Sequence, residues 1–233
     1  IKQMLEDPGN EAMIQGILGR KKGMTQVFTE DGKIVPVTVI EIEPCKVAQV
    51  KTVESDGYTA VQIGTSVTTE KRTGKPRAGH LREHGDLPPL RRLQEFRVDS
   101  VEGLESGQEI KLEEVFTEGE RVDVRGRSKG RGFAGTIKRH NFHRGDVTHG
   151  GMAVRRPGAI GQCATPSRVL KGKKMSGHMG DQNQTVRNLL LVRIDPENHY
   201  VLVRGAVPGP INGEVVIRKT KKGVRAPKYT ASK

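Results

Sequence analysis

Short runs in which apolar and polar residues alternate are the most regular feature of the chain. Runs of this kind, rich in β-branched residues and bounded by Gly, Pro, Asp and Asn, are typical of β-strands. Most are joined by short turns such as Glu30-Asp31-Gly32-Lys33, which favours a mainly β fold with a closed barrel. Eight strands are predicted, over residues 33–44, 47–53, 58–64, 109–116, 121–126, 186–194, 200–207 and 214–218.

Two stretches interrupt this alternation. Residues 66–95 are polar and Pro-rich, with one short helical candidate at 89–95, and indicate a small mixed subdomain inserted in the barrel. Residues 126–184 hold only 8 Leu, Ile, Val or Phe in 59 residues, roughly 14%, together with 12 of the 29 glycines. A charged segment this poor in apolar residues does not build its own core. We therefore expect a long, extended and mostly irregular internal arm that stays mobile until a partner orders it.

These interruptions set the predicted domain boundaries. The barrel is predicted in three parts, over residues 14–65, 96–125 and 185–217, separated by the inserted subdomain (66–95) and the arm (126–184). Residues 1–13 are expected to form a loose leader without the features of a secretory signal. Residues 218–233 are expected to form a basic tail.

The positive charge of the chain is concentrated in the arm and the tail. The net charge is +13 with a pI of about 9.9, yet residues 1–125 hold 18 basic and 22 acidic residues. Residues 126–184 hold 12 basic residues against 2 acidic ones, and residues 216–233 hold 7 basic residues and no acidic one. Such localised charge indicates a polyanionic partner, with nucleic acid favoured over an acidic membrane surface. Three Tyr, five Phe and no Trp favour contact with the phosphate backbone over stacking on bases.

The cysteines and the hydropathy pattern argue against a disulfide-rich protein and against a membrane-spanning one. Cys45 and Cys163 lie far apart without C-x-x-C spacing, which favours a reducing compartment over a disulfide framework. No apolar run approaches the length of about 18 residues that a membrane span needs.

Gly130, Gly132 and Gly135 have the G-x-G-x-x-G spacing of a dinucleotide-binding turn. That turn needs a helix after it and an acidic residue about twenty positions later. The following TIKRHNFHRGD predicts no amphipathic helix, and Arg155-Arg156-Pro157 occupy the position of the acidic residue. A nucleotide cofactor is therefore not predicted.

Two further groups of residues partly match a phosphate-binding loop and a zinc site. Gly172 and Gly177 have the spacing of a phosphate-binding loop, but His178 stands where that loop requires Lys. Residue types that bind zinc occur at His140, His143, His149 and Cys163, but their spacing matches no zinc pattern and cations surround them. The favoured interpretation is that these histidines hydrogen-bond to or stack on nucleic acid and that Cys163 packs in a tight loop. No catalytic residue, metal or cofactor is predicted, and neither is an enzyme.

The basic residues are the strongest candidates for a site. Arg can hold a phosphate through two hydrogen bonds, Lys acts as a point charge, and intervening glycines let the backbone come close. For Arg20-Lys21-Lys22 a solvated surface is the main alternative. The predicted nucleic-acid contacts are Arg20, Lys21, Lys22, Arg127, Lys129, Arg131, Lys138, Arg139, His140, His143, Arg144, His149, Arg155, Arg156, Gln162, Arg168, Lys171, Lys173, Lys174, His178, Lys219, Lys221 and Lys222.

Several long motifs resemble one family. SKGRGFAGTIKR (128–139) and GQCATPSRVLKGKKM (161–175) are the most specific, and GILGRKKGMTQVF (16–28) and LVRGAVPGPINGEVVIR (202–218) extend the similarity to most of the chain. The chain resembles the universal large-subunit ribosomal protein three family in its bacterial form.

This resemblance implies a β-barrel of the translation-protein type with an inserted subdomain. The arm is then expected to reach toward the peptidyl transferase centre, with its innermost turn around 158–168. The implied partners are 23S-type rRNA, whose early assembly the family nucleates, and neighbouring large-subunit proteins of the fourteen and nineteen families. The implied location is the cytoplasmic ribosome rather than an organellar one. An extraribosomal RNA chaperone or regulator with the same barrel is the alternative.

The sequence departs from the family pattern at two positions. His140 stands where bacterial relatives commonly have Trp, so a stacking contact there is expected to weaken or become a hydrogen bond. Ala164 occupies the position of a Gln that is methylated in some relatives, so this modification is not expected, although Gln162 is retained.

Overall fold

A computed structural model describes residues 14–29 and 31–220 of the chain. The described residues divide into two compact units, one made of the residues up to Arg127 and from Asn183 onward, the other of Ser128–Gln182. The strands are β1 (Gly16–Phe28), β2 (Ile34–Glu41), β3 (Cys45–Lys51), β4 (Ala60–Val67), β5 (Leu90–Arg97), β6 (Glu109–Ile110), β7 (Arg121–Arg127), β8 (Phe133–Ala134), β9 (Gly177–His178), β10 (Asn183–Asp195), β11 (Tyr200–Arg204) and β12 (Glu214–Lys219). The helices are α1 (Val53–Asp56), α2 (Glu70–Thr73), α3 (Lys75–Glu83), α4 (Leu112–Val115) and α5 (Thr136–His140).

Six strands of the first unit close into a barrel in the order β1-β12-β7-β10-β11-β2, with antiparallel pairing throughout. The apolar residues of the alternating runs fill the interior of the barrel. Among them, Val122, Val124, Leu191 and Ile217 face inward and are fully buried. The prediction of a mainly β fold with a closed barrel is confirmed.

A separate four-stranded sheet corrects part of the strand assignment. Its order is β5-β4-β3-β6, so the predicted strands 47–53 and 58–64 pair here and not in the barrel. The helix predicted at 89–95 is wrong, because this stretch forms β5 and pairs with β4, where Phe96 lies opposite Val61. The spacing of its leucines suits a helix, but burial of Leu90 and Phe96 against the sheet overrides that local preference.

The predicted strand at 109–116 is also mostly wrong. Only Glu109–Ile110 extends as β6, and Leu112–Val115 form the single helical turn α4. Leu112, Val115 and Phe116 are buried in the main hydrophobic core. A turn of helix brings three apolar side chains of this short segment onto that core, whereas a strand would direct alternate residues to opposite faces.

The second unit, Ser128–Gln182, has little regular structure. It contains the two-stranded sheet β8-β9 and the five-residue helix α5, and the rest is turns and irregular backbone. Ala134 and Thr136 are its buried residues, and most of the others are exposed. Low apolar content thus produces the irregular arm that the composition predicts.

Candidate nucleic-acid interface

The two ends of the second unit run side by side. The Arg131 amide donates to the Met179 carbonyl oxygen, and the Met179 amide donates to that of Gly132, each at 2.9 Å. The Ser128 amide donates to the Gln182 carbonyl oxygen at 2.9 Å, and the Gln182 amide donates to Ser128 Oγ at 3.2 Å. These bonds fix the stem of the unit without an apolar core.

Glycines of the G-x-G-x-x-G motif belong to this stem. Gly132 has a φ of +65°, a left-handed conformation that glycine adopts without strain. Across from the motif, Gly180 has a φ of +76°, and a Cβ on it would collide with the Lys129 carbonyl oxygen. Within the motif, only Gly132 has a backbone conformation that favours glycine, and the close approach of the two backbone segments depends on Gly180.

Contrary to the sequence interpretation, a short helix does follow the motif. Helix α5 spans Thr136–His140 and ends at Asn141, whose φ is 58°. Its C-terminal side chains hold a distant segment: Arg139 Nη1 donates to the Met175 carbonyl oxygen at 2.8 Å, and His140 Nε2 donates to the same oxygen at 3.0 Å. The sequence predicts nucleic-acid contacts for both side chains, and the structure shows that both stabilise the unit itself.

Most cations of the second unit have no anionic partner. Ten of them are exposed, and within the described part of the chain none has a carboxylate oxygen within 4.0 Å of its charged nitrogen. We call them the open cations: Lys129, Arg131, Lys138, Arg144, Arg155, Arg156, Arg168, Lys171, Lys173 and Lys174. With like charges close in sequence and no neutralising carboxylates, this surface carries a positive potential that attracts polyanions.

The cations predicted in the barrel are situated differently. Arg20 pairs with Glu43 at 2.9 Å, and Lys22 pairs with Glu41 at 2.8 Å. Lys21 Nζ donates to the Val207 carbonyl oxygen at 2.8 Å, and Lys219 lies 3.6 Å from a Glu120 carboxylate oxygen. An RNA phosphate would have to compete with these partners, so the open cations are the stronger candidates.

The remaining predicted nucleic-acid contacts are His143, His149, Gln162, Arg127, His178, Lys221 and Lys222. His143, His149 and Gln162 are exposed, as is Arg127 at the boundary of the second unit. His178 lies on β9 directly opposite Phe133. Lys221 and Lys222 fall outside the described residues. Over residues 14–29 and 31–220, no group of three or more His, Cys, Asp or Glu side chains could hold a metal ion.

Exposed apolar side chains lie in the same unit as the open cations. Phe133 is 80% exposed and Met152 is 90% exposed, and Val147, Leu170 and Ile160 are exposed as well. Side chains of this kind can contact the bases or sugars of a nucleic acid. The low apolar count of the segment concealed them, because it reports the absence of a core and not the position of each residue.

The described helices include none that is long and apolar enough to cross a membrane.

Comparison with known proteins identifies the family. The family model described as "Ribosomal protein L3" matches residues 95–198, which include the whole second unit. The large ribosomal subunit protein uL3 of Carboxydothermus hydrogenoformans is 48% identical over 211 residues, covering 91% of this chain and all of the relative. The chain belongs to the ribosomal protein L3 family. The resemblance read from its motifs is thereby confirmed.

Other members are equally similar. The uL3 protein of Thioalkalivibrio sulfidiphilus is 52% identical over 217 residues, covering 92% of this chain and 99% of the relative. That of Vibrio cholerae is 50% identical over 208 residues, covering 89% of this chain and 99% of the relative. The similarity therefore includes both units and not the barrel alone.

Proposed function

We propose that the chain is a structural constituent of the large ribosomal subunit and binds 23S-type rRNA directly through the open cations. Membership of the L3 family supports the first part, because the curated relatives are named as large-subunit proteins. The observation that carries the second part is the set of exposed Lys and Arg side chains without a carboxylate partner.

The physical basis is neutralisation of phosphate. Each cation that binds a phosphate releases condensed counterions from the RNA, so affinity falls as the salt concentration rises. An open cation has no internal ion pair to break before it binds. Arg155, Arg156 and Arg168 can each present two N–H groups to one phosphate, whereas Lys171 and Lys173 act as point charges.

The family resemblance extends this proposal. The second unit reaches toward the peptidyl transferase centre, and binding early in assembly nucleates folding of the surrounding rRNA. Proteins of the fourteen and nineteen families are its neighbours, and the complex belongs to the cytoplasmic ribosome. The role is structural, with no catalytic residue and no cofactor.

Sedimentation of cell lysates tests the proposal. The chain is expected to migrate with the large subunit, and a variant with Arg155, Arg156 and Arg168 changed to Gln is expected to migrate with it less. A matched control changes Lys71, Arg72 and Lys75 to Gln, which removes the same charge from exposed positions of the first unit.

Two outcomes contradict the proposal. Wild-type chain that migrates away from ribosomal subunits supports an extraribosomal chaperone or regulator instead. Equal incorporation of the two triple variants shows that the open cations are not the contacts.

A further inference from the structure

A pocket in the first unit presents a second group of cations, separate from the open cations in sequence. Its volume is about 410 Å³, within the range of small-ligand sites. Residues of strands β5 and β12, of the segment before β4 and of the segment before β1 line it: Gln15, Tyr58, Glu95, Phe96, Arg97, Arg218 and Lys219.

Arg218 is the unusual residue of this pocket. Its Nε is buried and has no hydrogen-bond partner among the described residues. The guanidinium carbon lies 5.1 Å from the centre of the Phe96 ring, a cation–π contact that satisfies none of its N–H groups. Burial, with a smaller effect from the neighbouring Arg125, lowers the pKa of Arg218. Because a buried donor without an acceptor is energetically unfavourable, the site favours a ligand that can accept hydrogen bonds from Arg218.

The one carboxylate that lines the pocket is already occupied. Tyr58 Oη donates to Glu95 Oε2 at 2.8 Å, and Lys51 Nζ lies 3.1 Å from Glu95 Oε1. Gln62 Nε2 donates to Glu95 Oε1 at 3.3 Å. Burial opposes ionisation of Glu95, but the hydrogen bonds from Tyr58 and Lys51 outweigh it and keep its pKa below the ordinary value. Glu95 therefore does not supply the acceptor for Arg218.

The aromatic rings of the pocket are covered as well. The Arg97 guanidinium carbon lies 5.4 Å from the centre of the Tyr58 ring. Phe96 is only 3% exposed, and Arg218 lies over it. Because a guanidinium lies over each ring, the pocket favours an anion over a stacked base. Arg97, which is exposed and has no carboxylate partner in the described ranges, provides further charge.

We propose that this pocket binds a phosphate group of an RNA backbone, with the N–H groups of Arg218 and Arg97 as donors and Lys219 nearby. Phosphate oxygens accept several hydrogen bonds at once and match the planar donors of Arg. The volume leaves room for the sugars on either side of the phosphate. The choice of RNA as the polyanion rests on the proposed function, whereas the anion site rests on the pocket alone.

Side-chain NMR of the full chain tests the anion site. The Arg218 Nε–H resonance, assigned by its loss in Arg218→Gln, is expected to shift saturably with added inorganic phosphate. Sodium chloride at the same ionic strength is expected to leave it in place. Arg97→Gln should weaken phosphate binding several-fold, and Arg72→Gln, which removes an equal charge outside the pocket, should not.

Two results overturn the anion site. Absence of a saturable shift shows that the pocket does not bind phosphate. A shift of the same resonance when residues 1–12 are removed shows that the acidic residues of that segment, Glu6, Asp7 and Glu11, supply the acceptor.

Binding to 23S-type rRNA tests the identity of the anion. For Arg97→Gln, the slope of log affinity against log salt is expected to become shallower by about 1, the effect of one phosphate contact. An unchanged slope together with a phosphate-induced NMR shift shows a site for free phosphate and overturns the RNA assignment. If wild-type protein binds no rRNA, the proposed function fails, and the NMR titration still decides the anion site.

Discussion

Arg139 and Met175 lie far apart in the sequence, yet one guanidinium nitrogen of Arg139 donates a 2.8 Å hydrogen bond to the Met175 carbonyl oxygen. The same guanidinium packs against Gly177, where a Cβ would lie 2.6 Å from Arg139 Nη1. A unit without an apolar core thus depends on a small number of polar contacts between its two halves.

Replacing Arg139 by Met is expected to loosen helix α5. The change removes a hydrogen bond from a charged donor, and such bonds stabilise proteins by about 1.5–3 kcal/mol. Hydrogen exchange of the Asn141 amide, which donates to the Ile137 carbonyl oxygen, should accelerate about tenfold or more. Lys138→Met is the control, since Lys138 is an exposed cation of the same helix without a carboxylate partner in the described residues. Equal exchange rates in the two variants would contradict the structural role of Arg139.

Gly180→Ala is expected to disrupt the stem of the second unit. Gly180 has a φ of +76°, and its Cβ would meet the Lys129 backbone, which cannot move without breaking the stem hydrogen bonds. Gly158→Ala separates the strain of the left-handed conformation from the steric collision, because Gly158 has a φ of +78° but open space around it. The left-handed conformation costs Ala about 1–2 kcal/mol in both variants, and the collision adds to this only in Gly180→Ala. Exchange of the Arg131 and Met179 amides measures the difference; similar acceleration in both variants would count against the close approach.

Much of the fold could be read from the sequence, because strand alternation is a local signal. Val122, Val124 and Ile217 alternate with polar residues and are buried as that pattern predicts. The errors arose where short segments respond to distant partners. Leu90–Arg97 reads as a helix by itself and becomes β5 only through its pairing with β4.

For the candidate site, too, the sequence predicts what depends on neighbouring residues and not what depends on contacts between distant ones. Composition alone identified residues 126–184 as the cationic segment, since charge does not depend on the fold. Composition could not show that Arg20 and Lys22 form ion pairs. Their partners Glu43 and Glu41 come close only when β1 pairs with β2 in the folded chain. No sequence pattern distinguishes Arg218, because only the tertiary structure places its guanidinium over Phe96.

Alkaline pH is expected to destabilise the first unit through Cys45. Burial raises the pKa of this thiol from 9.0 to about 11. The unfolded chain then releases the proton at a lower pH than the folded one, so the contribution is intact below pH 9 and is lost as the pH rises toward 11. Between about pH 8 and about pH 10, the loss amounts to about 1 kcal/mol.

Urea unfolding of wild-type protein and Cys45→Ala at both pH values measures this loss, because the other titrating groups cancel in the comparison. The difference in the free energy of unfolding should shrink at the higher pH. Cys163→Ala, which removes an exposed thiol, is the control for the loss of a sulfur atom. A difference between wild type and Cys45→Ala that is the same at both pH values would contradict the prediction.

Replacing Arg155 and Arg156 by Ala is expected to make rRNA binding less sensitive to salt. Both side chains are open cations, so each is available to bind a phosphate and release its counterions. The slope of log affinity against log salt should become shallower by about 2, one for each phosphate that the variant no longer binds. Replacing Arg20 and Lys22 by Ala removes the same charge from residues paired with Glu43 and Glu41, and should change the slope less. The opposite ranking of the two double variants would place the phosphate contacts on the barrel and not on the open cations.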